Sequence, residues 1–167
     1  MFKILVAVSV LALLAGCSMN MRLAQNGTST SPGGVIRLKV QADPQLNRYD
    51  RNSHALLLCL YQLREPEGFR QLAQHKDGVP KLLECGRFDP SVVNAQLLVV
   101  QPGQTLSQSC DKAAGTRYLG LATGYYSSSK RKVTEVVALP SGTVDNGPQG
   151  LLHLDLGAQE ITSARVE

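Results

Sequence analysis

Few side chains in this sequence could carry out chemistry. Its thiols are Cys17, Cys59, Cys85 and Cys110, and its imidazoles are His54, His75 and His153. The histidines lie far apart in no ligand-like spacing, and no CxxC pair occurs, so no metal site is expected. No serine sits in a Gly-x-Ser-x-Gly elbow. Asp77, Glu84, Asp89 and Asp111 show no pairing that would suit general acid–base work. Neither the glycine pattern of a phosphate loop nor that of a dinucleotide fold is present. These observations argue against an enzyme, a small-molecule substrate and a bound cofactor. The net charge of +4 comes from scattered basic residues with one cluster, Lys130-Arg131-Lys132. No aromatic stripe accompanies that cluster, which reads as a solvated turn rather than a nucleic-acid surface.

The thiol with the clearest assignment is Cys17. It follows Lys3, an apolar run over residues 4–14, and then Ala15-Gly16. The run is shorter than the ~20 residues a bilayer span needs, but its length suits the apolar region of a secretory signal. The string Leu13-Leu14-Ala15-Gly16-Cys17 resembles the lipobox of bacterial lipoproteins, whose cysteine sulfur receives diacylglycerol. Residues 1–16 are therefore expected to be a signal peptide and Cys17 the lipidated first residue of the mature chain. Each buried lipid methylene contributes ~0.8 kcal/mol and stable anchoring takes more than one acyl chain, a condition that a triacylated Cys17 meets. Ser18 is compatible with transfer to the outer membrane. The expected location is the cell envelope.

An oxidising compartment favours disulfides. Cys85 and Cys110 both lie near irregular, loop-like sequence, whereas Cys59 sits inside an apolar run. The expected pair is Cys85–Cys110, with Cys59 a buried free thiol.

These groups must be held by the rest of the chain. Residues 18–34 are rich in Ser, Thr, Asn and Gly and cannot bury enough apolar surface to offset their ordering entropy. With Cys17 they form the lipidated end and a flexible tether. Residues 35–167 form one domain, and 43% hydrophobic content suits a globular core. Over 35–42, Ile36, Leu38, Val40 and Ala42 alternate with polar neighbours, as in a strand with one wet face. The dense run at 55–63 predicts a strand covered on both faces. Further strands are expected at 96–100, 117–125, 132–139, 150–156 and 161–166, and a short one at 105–109. Residues 67–75 place Phe69, Leu72 and Ala73 at helical spacing, and 79–85 offer a second helical turn with Pro80 near its start. The expected fold is mainly β, an antiparallel two-sheet β-sandwich with a small helical insert.

The connection between the first two strands, residues 43–53, is long for a hairpin. It sets Leu46 and Tyr49 among charged residues, which suits either a binding surface or a loop folded back on its own sandwich.

The segment from Leu46 to Leu63 resembles the type VI secretion lipoprotein family called TssJ, which pairs an Asn-containing loop with an apolar strand ending in Tyr-Gln-Leu, here Tyr61-Gln62-Leu63. Phe69 matches an early phenylalanine in the family's helix. Residues 97–104 match its strand and Pro-Gly turn. The string Arg117-Tyr118-Leu119-Gly120-Leu121-Ala122 is similar to its strand with Tyr and Gly. The chain departs from the family in having Arg51-Asn52 where Gly-Arg is frequent, in lacking Trp, and in its cysteines. The resemblance implies a transthyretin-like sandwich anchored in the outer membrane and facing the periplasm. It implies binding to the periplasmic carboxy-terminal region of TssM and, with TssL, assembly of the secretion membrane complex. The contact loop it implies carries Leu46, Asn47, Arg48, Tyr49, Asp50 and Arg51. Tyr and Arg are frequent interface hot spots. A pilotin-like or other envelope assembly lipoprotein, and a lipid-tethered periplasmic hydrolase or inhibitor, are the alternatives.

Overall fold

A computed structural model describes residues 34–127, 131–140 and 150–167. Cys17, the signal segment, most of the tether and Lys130 lie outside the described residues. The elements run β1 (Val35–Ala42), β2 (Leu56–Leu63), α1 (Glu67–Gln74), α2 (Gly78–Leu83), β3 (Val92–Val100), β4 (Thr105–Asp111), β5 (Tyr118–Thr123), β6 (Thr134–Ala138), β7 (Leu151–Leu156) and β8 (Ile161–Val166). They form two four-stranded sheets, ordered β4-β1-β7-β8 and β3-β2-β5-β6. The expected sandwich with a helical insert is what the chain adopts. One pairing departs from the antiparallel expectation, because β1 and β7 run parallel. Most of the chain separates these two strands, so no tight hairpin forces them antiparallel.

The alternation in β1 is realised without exception: Ile36, Leu38, Val40 and Ala42 are buried and the residues between them exposed. Facing residues from the other sheet, including Leu56, Leu58, Leu60, Leu119 and Leu121, complete a core between the sheets. The apolar run of β2 has a second use. Cys59, Tyr61 and Leu63 point to the opposite face and form a separate core with Phe69, Leu82 and Val92 under the helices. A continuously apolar strand is what burial on both faces requires. Strand β3 begins four residues before the expected start, because Val92, Asn94 and Ala95 pair with Leu63, Gln62 and Tyr61 at the end of β2.

The helical insert is fastened at several points. The Tyr61 hydroxyl donates to the Leu82 carbonyl at 2.6 Å, and burial, with Glu84 nearby, pushes that phenol up to about 12. Tyr61, Phe69 and Phe88 make edge-on and tilted ring contacts with centroids 5.4–6.3 Å apart. Gly120 makes room for this cluster, since a Cβ there would stand 2.9 Å from the Phe69 ring.

The disulfide joins Cys59 to Cys85, with Cα atoms 5.7 Å apart. This corrects the expected Cys85–Cys110 pair. Cys59 faces the helices, where the chain leaving α2 delivers Cys85. Cys110 stands on β4 in the other sheet, opposite Ile36, and is the free thiol among the described residues. Burial raises its thiol pKa, as does neighbouring Asp111. The apolar surroundings of Cys59 marked the second core rather than an unreactive thiol.

Gln62 joins the two sheets. Its amide nitrogen donates to the Asp111 carbonyl at 2.9 Å, and its oxygen accepts from the Ala113 N–H and the Thr116 hydroxyl at 2.7 and 2.9 Å. A fully bonded buried amide rigidifies its surroundings, whereas losing a partner would leave a costly unsatisfied group.

Candidate functional site

The loop between β1 and β2 departs from the end of the sandwich where the Leu156 and Asp43 backbones meet, Asp43 N–H donating to Leu156 O at 2.8 Å. An Asp43 carboxylate oxygen accepts the Gln45 N–H at 2.6 Å, and Leu46 N–H returns to Asp43 O at 2.9 Å. These short-range bonds turn the chain inward, so that Leu46 is wholly buried in the core between the sheets. Leu46, expected at the contact surface, is instead a core residue, because burying its apolar side chain between the sheets is favourable. Asn47 is also buried, at 3% exposure. Its side-chain oxygen accepts the Tyr126 N–H at 2.9 Å and its amide donates to Ala55 O at 2.9 Å. Asn47 holds the loop to the chain that follows β5.

Beyond Asn47 the loop faces solvent. Tyr49 and Asn52 exchange backbone hydrogen bonds of 2.9 Å in both directions. The two residues between them, Asp50 and Arg51, have φ of 46° and 65°. Positive φ at both central positions is the condition of a type I′ turn. Asn47, at φ 50°, is a third left-handed residue in the same loop. Asn and Asp adopt this conformation readily, whereas Arg51 costs roughly 1–2 kcal/mol there and persists only where neighbouring contacts over-determine it. Those contacts include Arg48 N–H donating to Ala158 O at 3.0 Å, the Ser53 hydroxyl donating to Pro44 O at 3.0 Å, and His54 N–H donating to Leu46 O at 3.1 Å.

The result is a rigid platform bearing exposed rings. Tyr49 and Tyr126 are 58% and 62% exposed. They stack with centroids 5.0 Å apart and planes 25° from parallel. His54 packs edge-on against Tyr126 at 5.2 Å. Arg48 and Arg51 flank the rings, both exposed, and Arg48 donates to the Gln45 amide oxygen at 2.9 Å. Beneath them, the Tyr125 hydroxyl lies 3.0 Å from the Gly157 and Glu160 carbonyls, and burial raises its pKa strongly.

Of the predicted contact residues, Arg48, Tyr49, Asp50 and Arg51 share this exposed surface, while Leu46 and Asn47 support it from within. Tyr126 and His54 were not anticipated. The strand expected at 117–125 stops one residue short of Tyr126, and β5 itself ends at Thr123, so no local pattern marked Tyr126. His54 carried no signal either. Among the described residues no group of His, Cys, Asp and Glu could hold a metal ion.

The platform and Gly34, the first described residue, lie at opposite ends of β1. Lys112 N–H donates to Gly34 O at 2.9 Å where β1 begins, and the loop begins where β1 ends. The eight residues of β1 put roughly 26 Å between them.

A family profile described as type VI secretion lipoprotein, VasD, EvfM, TssJ, matches residues 35–159. Among solved structures, the lipoprotein TssJ1 from Pseudomonas aeruginosa is similar at 21% identity and a TM-score of 0.65, over 80% of this chain and 98% of that one. Serratia marcescens Lip, described as a membrane-bound component of the type VI secretion system, is similar at 18% identity and a TM-score of 0.66, over 81% and 99%. A chain of the structure described as the type VI TssM C-terminal domain from EAEC is similar at 12% identity and a TM-score of 0.59, over 78% and 97%. No curated protein matches the sequence.

Proposed function

We propose, from the premise that the chain belongs to the type VI secretion lipoprotein family, that it is anchored in the outer membrane through Cys17, faces the periplasm, and binds the periplasmic carboxy-terminal region of TssM. With TssL it would help to assemble the secretion membrane complex. The observation that carries this reading is the exposed, preorganised Tyr49–Tyr126 platform, which lies beyond the end of β1 remote from Gly34. A rigid aromatic surface loses little conformational entropy on binding, and Tyr and Arg dominate interface energetics. The polarity of β1 supports a bridge, with lipid at one end and the partner at the other.

Pull-down and calorimetry with the periplasmic region of TssM test this reading. The wild-type domain should bind, and Tyr49→Ala should weaken binding by about 2 kcal/mol or more. An unchanged affinity would move the interface off this loop, and no binding by the wild type would end the reading. In cells, Cys17→Ser should leave a folded protein that is lost from the membrane fraction and no longer supports secretion.

A further inference from the structure

Among the described residues, six large apolar side chains are exposed: Val35, Tyr49, Leu57, Leu97, Val99 and Tyr126. All but Val35 lie on one continuous side. Leu57 stands directly opposite Val99 on the neighbouring strand, and Leu97 follows two residues along the same face. Gly124 N–H donates to Leu57 O at 2.9 Å, two residues before Tyr126. The apolar surface therefore runs from the tyrosine platform down the outer face of β2 and β3. It does not stop at the loop.

Strand β3 is also an edge of its sheet. Its nine residues, VVNAQLLVV, include no charge and no proline. Proteins ordinarily guard a long edge strand with lysine, proline or a bulge, because its free N–H and C=O groups template pairing with another strand. Here the β3 edge has neither charge nor proline, its one register shift lies at Val92–Asn94, away from Leu97 and Val99, and those two outward side chains are half exposed.

We infer that β3 is a strand-addition site for the same partner that the tyrosine platform binds, an inference that rests on the reading of that platform as the TssM surface. The occupant is an extended segment of the partner with apolar residues at alternate positions. Paired with β3, those residues would stand about 5 Å from Leu97 and Val99, and main-chain bonds would supply affinity while alternate side chains supply register. Continuity with the platform favours one partner covering both.

The test uses the full chain in detergent micelles, titrated with the periplasmic region of TssM. Leu97→Lys and Val99→Lys place a charge on exposed positions, so the fold should persist. Each should weaken binding at least tenfold, while Lys39→Ala, on the outer face of the other sheet, should leave it within twofold. Amide hydrogen exchange in β3 should slow on complex formation. Affinities within twofold for both β3 variants, with Tyr49→Ala still weakening binding, would overturn this inference and leave the platform reading intact. Unchanged β3 exchange in the complex would also overturn it. A wild-type chain that dimerises by sedimentation, with Leu97→Lys monomeric, would assign the edge to a second copy instead. No binding by the wild type would remove the platform reading itself.

Discussion

Two aromatic clusters of three rings occupy opposite environments in this small domain. Tyr61, Phe69 and Phe88 lie under the helical insert, and Tyr61 and Phe69 are wholly shielded. Tyr49, Tyr126 and His54 meet at the loop between β1 and β2, with both tyrosines more than half exposed. The first cluster has a folding explanation, because it closes the second core and fastens α1 and α2 to β2. The second buries little surface and is held by a loop that carries three left-handed residues. Exposed rings held in place by a hydrogen-bonded loop are the feature on which the proposed binding surface rests. The Tyr-Gln-Leu string follows the first pattern: Tyr61 and Gln62 spend their polar groups inside the protein, so this string identifies the fold and not the contact surface.

The sharpest way to test the contrast is to delete one ring from each cluster. Phe69→Ala should cost about 3–5 kcal/mol of stability in denaturant titration, as removal of a buried aromatic does. Tyr126→Ala should cost at most about 1 kcal/mol yet weaken TssM binding at least tenfold. Equal destabilisation by the two would break the comparison. Next in size is the disulfide. Reduction, or Cys59→Ser with Cys85→Ser, removes a link between residues 26 apart and should cost about 3 kcal/mol. Calorimetry should show that loss, and it should fall on the helical insert while the tyrosine platform stays intact by hydrogen exchange. Gly120→Ala should cost about 1–3 kcal/mol by overpacking against Phe69, measured as a lowered unfolding midpoint. The smallest effect concerns alkaline pH. Folding raises the Tyr61 phenol from 10.0 to about 12, so the folded chain holds that proton more tightly than the unfolded chain. Its contribution is complete below pH 10 and is lost as the pH rises toward 12. Tyr61→Phe should flatten the fall in stability over that window.

Much of this was legible in local pattern. The alternation of β1 and the two-sided burial of β2 follow from side-chain period alone, and the bounds of β1 and β8 agree with the periodic segments that announced them. The long first loop stood out by its length and its tyrosine. Other features depended on residues brought together from distant parts of the chain. Leu46 looked like an exposed apolar residue in a polar loop until the Asp43 turn carried it into the core. Cys59 looked inert because its neighbours are apolar, but those neighbours line the floor of a second core whose roof supplies Cys85. Tyr126 joined the site only because Asn47, nearly eighty residues earlier, accepts its backbone N–H.

The sequence by itself determined the strands, the two helical turns, the family resemblance and the lipobox-like string ending at Cys17, because each is written in residues close together along the chain. Only the tertiary structure decided which cysteines pair, which loop residues face water, that β1 and β7 run parallel, and that Tyr49, Tyr126 and His54 form one surface. Those outcomes depend on which segments become neighbours when the two sheets close, and periodicity along a single segment carries no information about its partners.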